Sequence, residues 1–338
     1  MKKTTFVILL ALLALCLVIV ACNKDKGGSA PAAPVASTSQ PAGGPLAGKR
    51  IGVINSTMYD EWNIGIVEEF ARIGKEKGAA EINIQDGDSS AEIQTRLLED
   101  FITQRVDAIF IQPVDSSGGI LAALDKAHAA GIPVVVYGMA VDWPSYVSYI
   151  AWDHAETGRL SGLWAVDYAK KNLGGKLRVG ILSMLIVQAT AIRTGAFKEA
   201  IEEGLGKENI TYVFEQDFGM TREGAANIVT NNIAKPVDII WAAVDNGSFG
   251  ARAALQMSGV VGPKVISSGA WGKESFQTIA DNDPHYAMFI GVPPEGIVRQ
   301  SLEAGEAYFR GETNIPKDQN IELVVVDSTN IANFKGKY

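Results

Sequence analysis

The chain beyond residue 48 alternates short apolar runs with amphipathic stretches. Residues 50–54 form the first apolar run, and residues 64–77 follow with apolar positions at helical spacing. The alternation continues to about residue 137 and starts again near residue 179. Continuously apolar strands separated by helices predict parallel sheets covered on both faces. Two rounds of this pattern predict an α/β fold with two Rossmann-like lobes.

The segments between and after the two rounds predict a hinge. Residues 148–151 are expected to form a strand that crosses between the lobes, and Asp153 is expected to cap a helix beginning near His154. A chain that crosses more than once makes a multi-strand hinge and a cleft that can close. The predicted boundaries are residues 49–151 plus 291–320 for the N-terminal lobe and residues 152–290 plus 321–338 for the C-terminal lobe.

The N-terminus has the pattern of a secretory signal. Lys2 and Lys3 precede an apolar run over residues 6–20 that is short for a membrane span, and Ala21 precedes Cys22. We predict a lipoprotein signal peptide over residues 1–22, with Cys22 acylated. The alternative is an uncleaved N-terminal membrane anchor. Both place the body outside the cytoplasm, in the periplasm or on the cell surface, held to the membrane.

Residues 23–48 are dominated by Ala, Pro, Gly and Ser, which predicts a flexible linker between lipid and body. Cys16 and Cys22 are the two cysteines of the chain, so the body has neither a disulfide nor a catalytic thiol. The net charge of −8 argues against a nucleic-acid partner, because phosphate binding needs a basic face. We expect a monomer without a cofactor or metal.

The candidate site lies where the predicted strands end. In open parallel sheets, ligands bind beyond the carboxyl ends of the strands. The loops there carry aromatic rings beside charged and amide groups, a combination that suits a small polyhydroxylated ligand. The candidate ligand-binding residues are Ser56, Tyr59, Asp60, Trp62, Asn63, Gly138, Met139, Arg193, Asp245, Asn246 and Trp271.

Each of the stronger candidates also has a purely structural alternative. Asp60 is alternatively only a helix N-cap, and Trp62 alternatively packs between the lobes. Arg193 is alternatively a solvated charge on a helix face. Asp245 and Asn246 alternatively cap the helix that follows them.

Enzyme signatures are missing from the sequence. The first apolar run leads into Asn55-Ser56-Thr57 instead of a Gly-x-Gly-x-x-Gly turn, and the chain contains neither a phosphate-binding P-loop nor a Gly-x-Ser-x-Gly elbow. The three histidines do not have the spacing of metal ligands. We therefore expect a binding protein and not an enzyme.

Several segments, in their order and spacing, resemble the type I periplasmic sugar-binding family. They are Ile51-Gly52-Val53-Ile54 followed by Ser56, Asp60 and Trp62; Arg105 to Ile109 followed by Gln112-Pro113 and Gly131 to Val134; Tyr149 to Asp153 followed by Glu156-Thr157-Gly158; and Arg193 to Phe197. The resemblance implies the substrate-binding lipoprotein of an ABC transporter, which captures a sugar-like ligand by hinge closure and docks on a membrane permease. The alternatives are a sensory receptor that signals to a membrane kinase or chemoreceptor, and a non-sugar ligand.

The resemblance also implies roles for individual residues. Asp60 resembles the family's polar contact on the first loop, and Trp62 resembles the aromatic that stacks on the sugar. Arg193 resembles the arginine offered by the second lobe, and Asp245 resembles an acidic residue beside a ligand asparagine.

The sequence departs from the family's pattern at four positions that usually carry polar side chains. Gly138, followed by Met139, stands after the strand that ends at Tyr137. The other three are Val244, Gly269 and Gly291. We therefore expect contacts that differ from those to an ordinary hexose or ribose.

Overall fold

The computed structural model describes residues 43–336, and in that range it contains two six-stranded sheets. The strands are β1 (Arg50–Asn55), β2 (Glu81–Asp86), β3 (Ala108–Ile111), β4 (Val134–Tyr137), β5 (Tyr149–Ala151), β6 (Leu177–Ser183), β7 (Ile210–Asp217), β8 (Ile239–Ala242), β9 (Lys264–Ala270), β10 (Tyr286–Gly291), β11 (Asp318–Asn320) and β12 (Val324–Asp327). The first sheet has the order β11-β5-β4-β3-β1-β2 and the second β12-β10-β9-β8-β6-β7. All pairings are parallel except β10 with β12, which is antiparallel.

Nine α-helices in the described range cover these sheets. They are α1 (Glu61–Glu76), α2 (Ala91–Gln104), α3 (Leu121–Ala129), α4 (His154–Asn172), α5 (Gln188–Leu205), α6 (Arg222–Asn232), α7 (Asp245–Ser258), α8 (Lys273–Ala280) and α9 (Pro294–Phe309). Short 3-10 helices lie at Lys207–Asn209 and Ile331–Phe334. No helix in residues 43–336 is both long enough and apolar enough to cross a membrane.

Each sheet is packed on both faces, as the apolar strands predict. One cluster fills the space between the first sheet and α1 with α9, and it includes Phe70 and Phe110. A second cluster, with Phe101 and Ile109, lies under α2 and α3. The second sheet has two equivalent clusters. The predicted α/β fold of two lobes with parallel sheets is confirmed.

The chain passes between the sheets in three places. It runs from β5 into α4, from β10 into α9, and from β11 into β12. As predicted, Asp153 caps α4, where its side chain accepts a hydrogen bond from the backbone N–H of Glu156. The C-terminal segment contributes one strand to each sheet, β11 to the first and β12 to the second.

The packed body begins earlier than the predicted end of the linker. Leu46 is fully buried in the cluster beneath α1, although it lies in the segment predicted as a flexible tether. The backbone N–H of Gly48 also donates to the carbonyl of Gly78, which fixes this segment to the end of α1. Residues 1–42, which contain most of the predicted linker, the signal segment and Cys22, lie outside the described residues.

Candidate functional site

Asp60 stands at the point where β1 leads into α1. It is the N-cap of α1, as the structural alternative expects: its Oδ1 accepts from the backbone N–H of Asn63 at 2.9 Å. Its Oδ2 accepts from the Asn63 side-chain amide at 2.7 Å. Each carboxylate oxygen has a second acceptor position. Capping therefore fixes the orientation of Asp60 and still leaves it able to accept from a ligand.

A buried relay of polar groups holds this loop. The Tyr137 hydroxyl donates to Asn55 Oδ1 at 2.9 Å, and Asn55 Nδ2 donates to Asn63 Oδ1 at 3.1 Å. Asn63 then donates to Asp60. Asn63 is buried, so its amide positions Asp60. Sequence analysis did not identify Asn55 or Tyr137, because strand residues carry no local sign of such a long-range contact.

The neighbouring β2–α2 loop fixes Ser56 and Tyr59 on the first lobe. The backbone N–H of Ser89 donates to the Ser56 carbonyl at 2.8 Å, and Asp88 and Ser89 both have positive φ. The Tyr59 hydroxyl donates to Asp88, while the Tyr59 side chain is 76% exposed. Tyr59 therefore points its polar end along the outer edge of the first lobe.

Gly138 follows β4 with a φ of 72°, and its lack of a side chain leaves room for Gln112. A Cβ at position 138 would come 3.2 Å from Gln112 Nε2. Gln112 is buried, and its Oε1 accepts from the backbone N–H of Ser56 at 3.3 Å. A polar amide thus occupies the space beside the first departure from the family pattern. Met139, the next residue, is 45% exposed.

Arg193 lies in α5 and is buried, so the alternative of a solvated surface charge is wrong. Its Nη1 donates to the carbonyls of Ala243 and Ser268 at 3.1 and 2.9 Å, at the carboxyl ends of β8 and β9. Burial lowers the pKa of Arg193 to about 10, and the nearby Asp245 carboxylate opposes that shift. The guanidinium remains charged at neutral pH.

Arg193 also explains the departure at Gly269. That glycine has a φ of 143°, and a Cβ there would come 2.5 Å from Arg193 Nη1. The guanidinium occupies the space that a side chain at position 269 would need. The guanidinium, and not a side chain at position 269, is therefore the polar group at this end of β9.

His154, at the start of α4, contacts the other side of the guanidinium. Arg193 Nε lies 3.3 Å from His154 Nδ1. Burial, followed by the charge of Arg193, lowers the pKa of His154 to about 4, while Asp153 opposes this. The imidazole is therefore neutral at pH 7 and accepts from Arg193 through Nδ1.

An aromatic column connects the two lobes. Trp62, in α1, meets Trp152 edge-on at 5.4 Å between ring centroids, and Trp152 meets His154 at 5.1 Å. The Arg193 guanidinium lies 5.9 Å from the Trp152 ring centre. Trp62 Nε1 donates to the carbonyl of Val292, on a segment that crosses between the lobes, at 2.9 Å. Trp62 is therefore both a candidate ring for the ligand and a packing residue of the hinge.

Asp245 is the first residue of α7, and its carboxylate receives the backbone N–H of Asn246 at 2.8 Å. Burial raises the pKa of Asp245 to about 6. The hydrogen bond from the Asn246 backbone N–H lowers this pKa, the Asp60 carboxylate raises it, and the Arg222 guanidinium lowers it. Asp60, which belongs to the first lobe, is therefore close enough to act on the pKa of Asp245 in the second.

Two further candidates have partners within the second lobe. Asn246 donates to the carbonyl of Met220 at 3.2 Å and accepts from Arg222 at 3.4 Å. Trp271 packs edge-on against Phe276 at 5.0 Å. A Cβ at Gly291 would come 2.7 Å from the Trp271 ring, which accounts for another departure from the family pattern.

Trp62 and Arg193 both lie against Trp152, where the chain crosses between the lobes, and the charge of Asp245 interacts with those of Arg193 and Asp60. This arrangement offers fixed acceptors from both lobes, a cationic donor and indole rings. No group of three or more His, Cys, Asp or Glu side chains in residues 43–336 is arranged to hold a metal ion. The fold and this cleft define a two-lobed binding protein.

The chain belongs to the periplasmic binding protein domain family, whose model matches residues 51–313. It is 25% identical to the ribose import binding protein RbsB of Bacillus subtilis over 266 residues, which cover 78% of this chain and 82% of that protein. It is 29% identical to the galactofuranose-binding protein YtfQ of Escherichia coli over 210 residues, covering 59% of this chain and 64% of that protein.

Solved structures share the fold. A periplasmic solute-binding protein from Actinobacillus succinogenes with bound D-allose aligns with a TM-score of 0.74 at 24% identity, covering 84% of this chain and 99% of that one. A solute-binding protein from Bacillus halodurans with bound myo-inositol aligns with a TM-score of 0.71 at 20% identity, covering 87% and 99%.

Proposed function

We propose that this protein is the extracytoplasmic solute-binding component of an ABC-type transporter. It captures a small polar solute between its lobes and delivers it to a membrane permease. One observation supports the proposal: Asp60 of the first lobe and Arg193 with Asp245 of the second follow strands of two parallel sheets at their carboxyl ends, and Asp245 interacts with the charges of both other residues. A solute that contacts both lobes stabilises their closed arrangement.

The chemistry of the cleft favours a sugar or sugar-like polyol. Carboxylate oxygens accept from hydroxyl groups, the Arg193 guanidinium donates to ring or hydroxyl oxygens, and indole rings cover C–H faces. The names of the relatives, ribose and galactofuranose, support the same class of ligand. The side chains that fill the space at Gly138 and Gly269 favour a solute whose hydroxyl pattern differs from that of ribose.

A thermal-shift screen of residues 23–338 tests the proposal. The panel contains D-ribose, D-allose, L-arabinose, D-galactose, myo-inositol and glycerol. A solute present at a hundred times its Kd stabilises the folded state by about 2.7 kcal/mol, which raises the melting temperature. The Asp60→Asn variant is the matched control, because its isosteric amide keeps an N-cap oxygen and removes the charge. A folded protein that responds to no polyhydroxylated solute contradicts the proposal.

Transport is tested in cells. Deletion of the gene is expected to abolish uptake of the solute found in the screen, and the intact gene is expected to restore it. Unchanged uptake combined with loss of a cellular response to that solute contradicts transport and favours the receptor alternative.

The proposed location is the outer side of a membrane, with the lipid at Cys22 holding the body and residues 23–42 serving as a tether. The signal pattern before Cys22 supports this part of the proposal.

A further inference from the structure

Unpaired polar atoms gather at the carboxyl ends of the strands that face the cleft. Four buried side-chain atoms have no hydrogen-bond partner within residues 43–336: Thr57 Oγ1, Trp152 Nε1, Ser268 Oγ and Gln300 Oε1. Gln300 lies on α9, whereas Thr57 follows β1, Trp152 follows β5, and Ser268 lies near the end of β9. Buried polar groups are nearly always paired in folded proteins, so three exceptions at the carboxyl ends of strands indicate that a partner binds there.

Trp152 has the strongest position among the three. It lies on the segment that connects the lobes, between Trp62 of the first lobe and Arg193 of the second. Its ring is partly exposed, whereas its Nε1 atom is buried. A hinge motion that separates Trp62 from Arg193 changes what covers the indole.

Four other tryptophans have an indole N–H that is paired within the protein. Trp62 Nε1 donates to Val292, Trp143 Nε1 to Asp125, Trp164 Nε1 to Asp327, and Trp241 Nε1 to Ser161. An indole N–H can only donate, so Trp152 has no other way to satisfy its polar atom. Its neighbours Trp62, His154 and Arg193 supply rings and a cationic donor, and no side chain in residues 43–336 accepts from its N–H.

We propose that the Trp152 indole N–H is a ligand-binding group that donates to an oxygen of the bound solute. The proposal rests on the function proposed above and names a recognition element within the same cleft. It makes Trp152 a specificity-determining residue: solutes with an acceptor oxygen beside the crossing segment are retained, and analogues without that oxygen leave a buried donor unpaired. A donor left unpaired in this way discriminates strongly between otherwise similar ligands.

The test compares Trp152→Phe with Trp164→Phe. Both substitutions remove an indole N–H and keep an aromatic ring, but Trp164 lies on α4 with its N–H already paired to Asp327. The probe is the tightest binder among D-ribose, D-allose, L-arabinose, D-galactose, myo-inositol and glycerol, and its affinity is measured by calorimetry. We expect Trp152→Phe to weaken binding at least tenfold and Trp164→Phe to leave it unchanged.

The outcomes separate the two proposals. If the wild-type protein binds no member of the panel, the proposed function fails, and this inference fails with it. If the wild-type protein binds and Trp152→Phe binds equally well, only the inference is overturned.

A second measurement needs no folded variant. The chain has six tryptophans, so a ¹H–¹⁵N spectrum of the wild-type protein contains six indole signals. Saturation with the probe is expected to move the Trp152 indole proton downfield and slow its exchange with solvent, because it gains an acceptor. If Trp152→Phe does not fold, the wild-type spectrum alone tests the proposal. A Trp152 indole signal that neither moves nor exchanges more slowly with solvent when the probe is added overturns it.

Discussion

The replacement Asp245→Asn is expected to stabilise the folded protein above pH 6 and not at pH 4. Asp245 has a pKa raised from 3.8 to about 6, first because it is buried and also because Asp60 and Glu274 add negative charge nearby. The Asn246 backbone N–H and Arg222 work in the opposite direction. Between these two pKa values the folded protein holds a proton that the unfolded chain has lost. The free energy of unfolding therefore falls as the pH rises from about 4 to 6, and it stays lowered above that range.

The size of the effect follows from the two pKa values. A difference of about 2.2 pH units corresponds to about 3 kcal/mol at about 1.4 kcal/mol per unit. Asp245 also attracts the buried guanidinium of Arg193, and the amide loses that attraction. We therefore expect a net gain of about 1–3 kcal/mol at pH 7. Asparagine keeps an oxygen that accepts from the backbone N–H of residue 246, so helix α7 retains its first hydrogen bond.

His154 changes the free energy of unfolding with pH in the opposite direction to Asp245, because its pKa is lowered to about 4. The unfolded chain takes up a proton on this imidazole below about pH 6.5 and the folded protein does not, so stability falls as the pH falls from 6.5 to 4. The two opposing slopes partly cancel in the wild-type protein. In Asp245→Asn the His154 contribution is no longer opposed by Asp245, and stability is expected to rise from pH 4 to 6.5 more steeply than in the wild-type protein.

Urea denaturation, followed by tryptophan fluorescence between pH 4 and 8, measures both curves. Asp142→Asn is the control, because its side chain is exposed on the β4–β5 connection. A stability difference between Asp245→Asn and the wild-type protein that does not change with pH, or a variant that is the less stable protein at pH 7, contradicts a raised pKa at Asp245.

Three further predictions address the cleft, the contact between the lobes and the lipid anchor. Gly269→Ala is expected to displace the Arg193 guanidinium, since the new Cβ would come 2.5 Å from Nη1, and to abolish the thermal shift given by the solute; an unaltered shift contradicts this placement of Arg193. Glu61 Oε2 accepts from the backbone N–H of Glu274, at the start of α8 on the opposite lobe, at 3.5 Å. Glu61→Gln is therefore expected to shift the ligand-free protein towards the open form and to increase its radius of gyration in small-angle scattering. An unchanged radius of gyration contradicts this prediction. Cys22→Ser is expected to release the protein from the membrane fraction on cell fractionation, and retention of the variant there contradicts lipid attachment.

The fold could be predicted because its information is local. Apolar runs of strand length and helical spacing repeat in two rounds, and parallel pairing follows from continuous burial. The N-cap at Asp153 was equally visible. The end of the chain was less predictable, because β11 and β12 are only three and four residues long and owe their existence to pairing with β5 and β10. The burial of Leu46 could not be predicted for a similar reason, because a single apolar residue among Ala, Pro, Gly and Ser has no periodic pattern to indicate a packed element.

The candidate site was predictable only where a topological rule applies. Asp60, Arg193 and Asp245 follow β1, β6 and β8 at their carboxyl ends, and in the structure Asp245 interacts with the charges of the other two. Trp152 also follows a strand, but β5 has only three residues, and the sequence around it predicts a connection between the lobes and not a ligand site. The partners that hold the site, such as the Tyr137 hydroxyl and the Asn55 amide, are distant in sequence and became visible only in three dimensions.

Three of the four departures from the family pattern, the glycines at 138, 269 and 291, lie against a side chain from elsewhere in the fold: Gln112, Arg193 and Trp271 respectively. A Cβ at 269 would come 2.5 Å from Arg193 Nη1 and one at 291 would come 2.7 Å from the Trp271 ring, while Gly138 has a φ of 72° that favours glycine. At the first two positions an amide and a guanidinium therefore stand in the place of a side chain from the strand end. Donors that come from a neighbouring strand and helix reach the solute from a different direction than those on the strand itself. On the proposed function, we therefore expect this protein and its ribose-binding relatives to recognise different hydroxyl groups of their solutes.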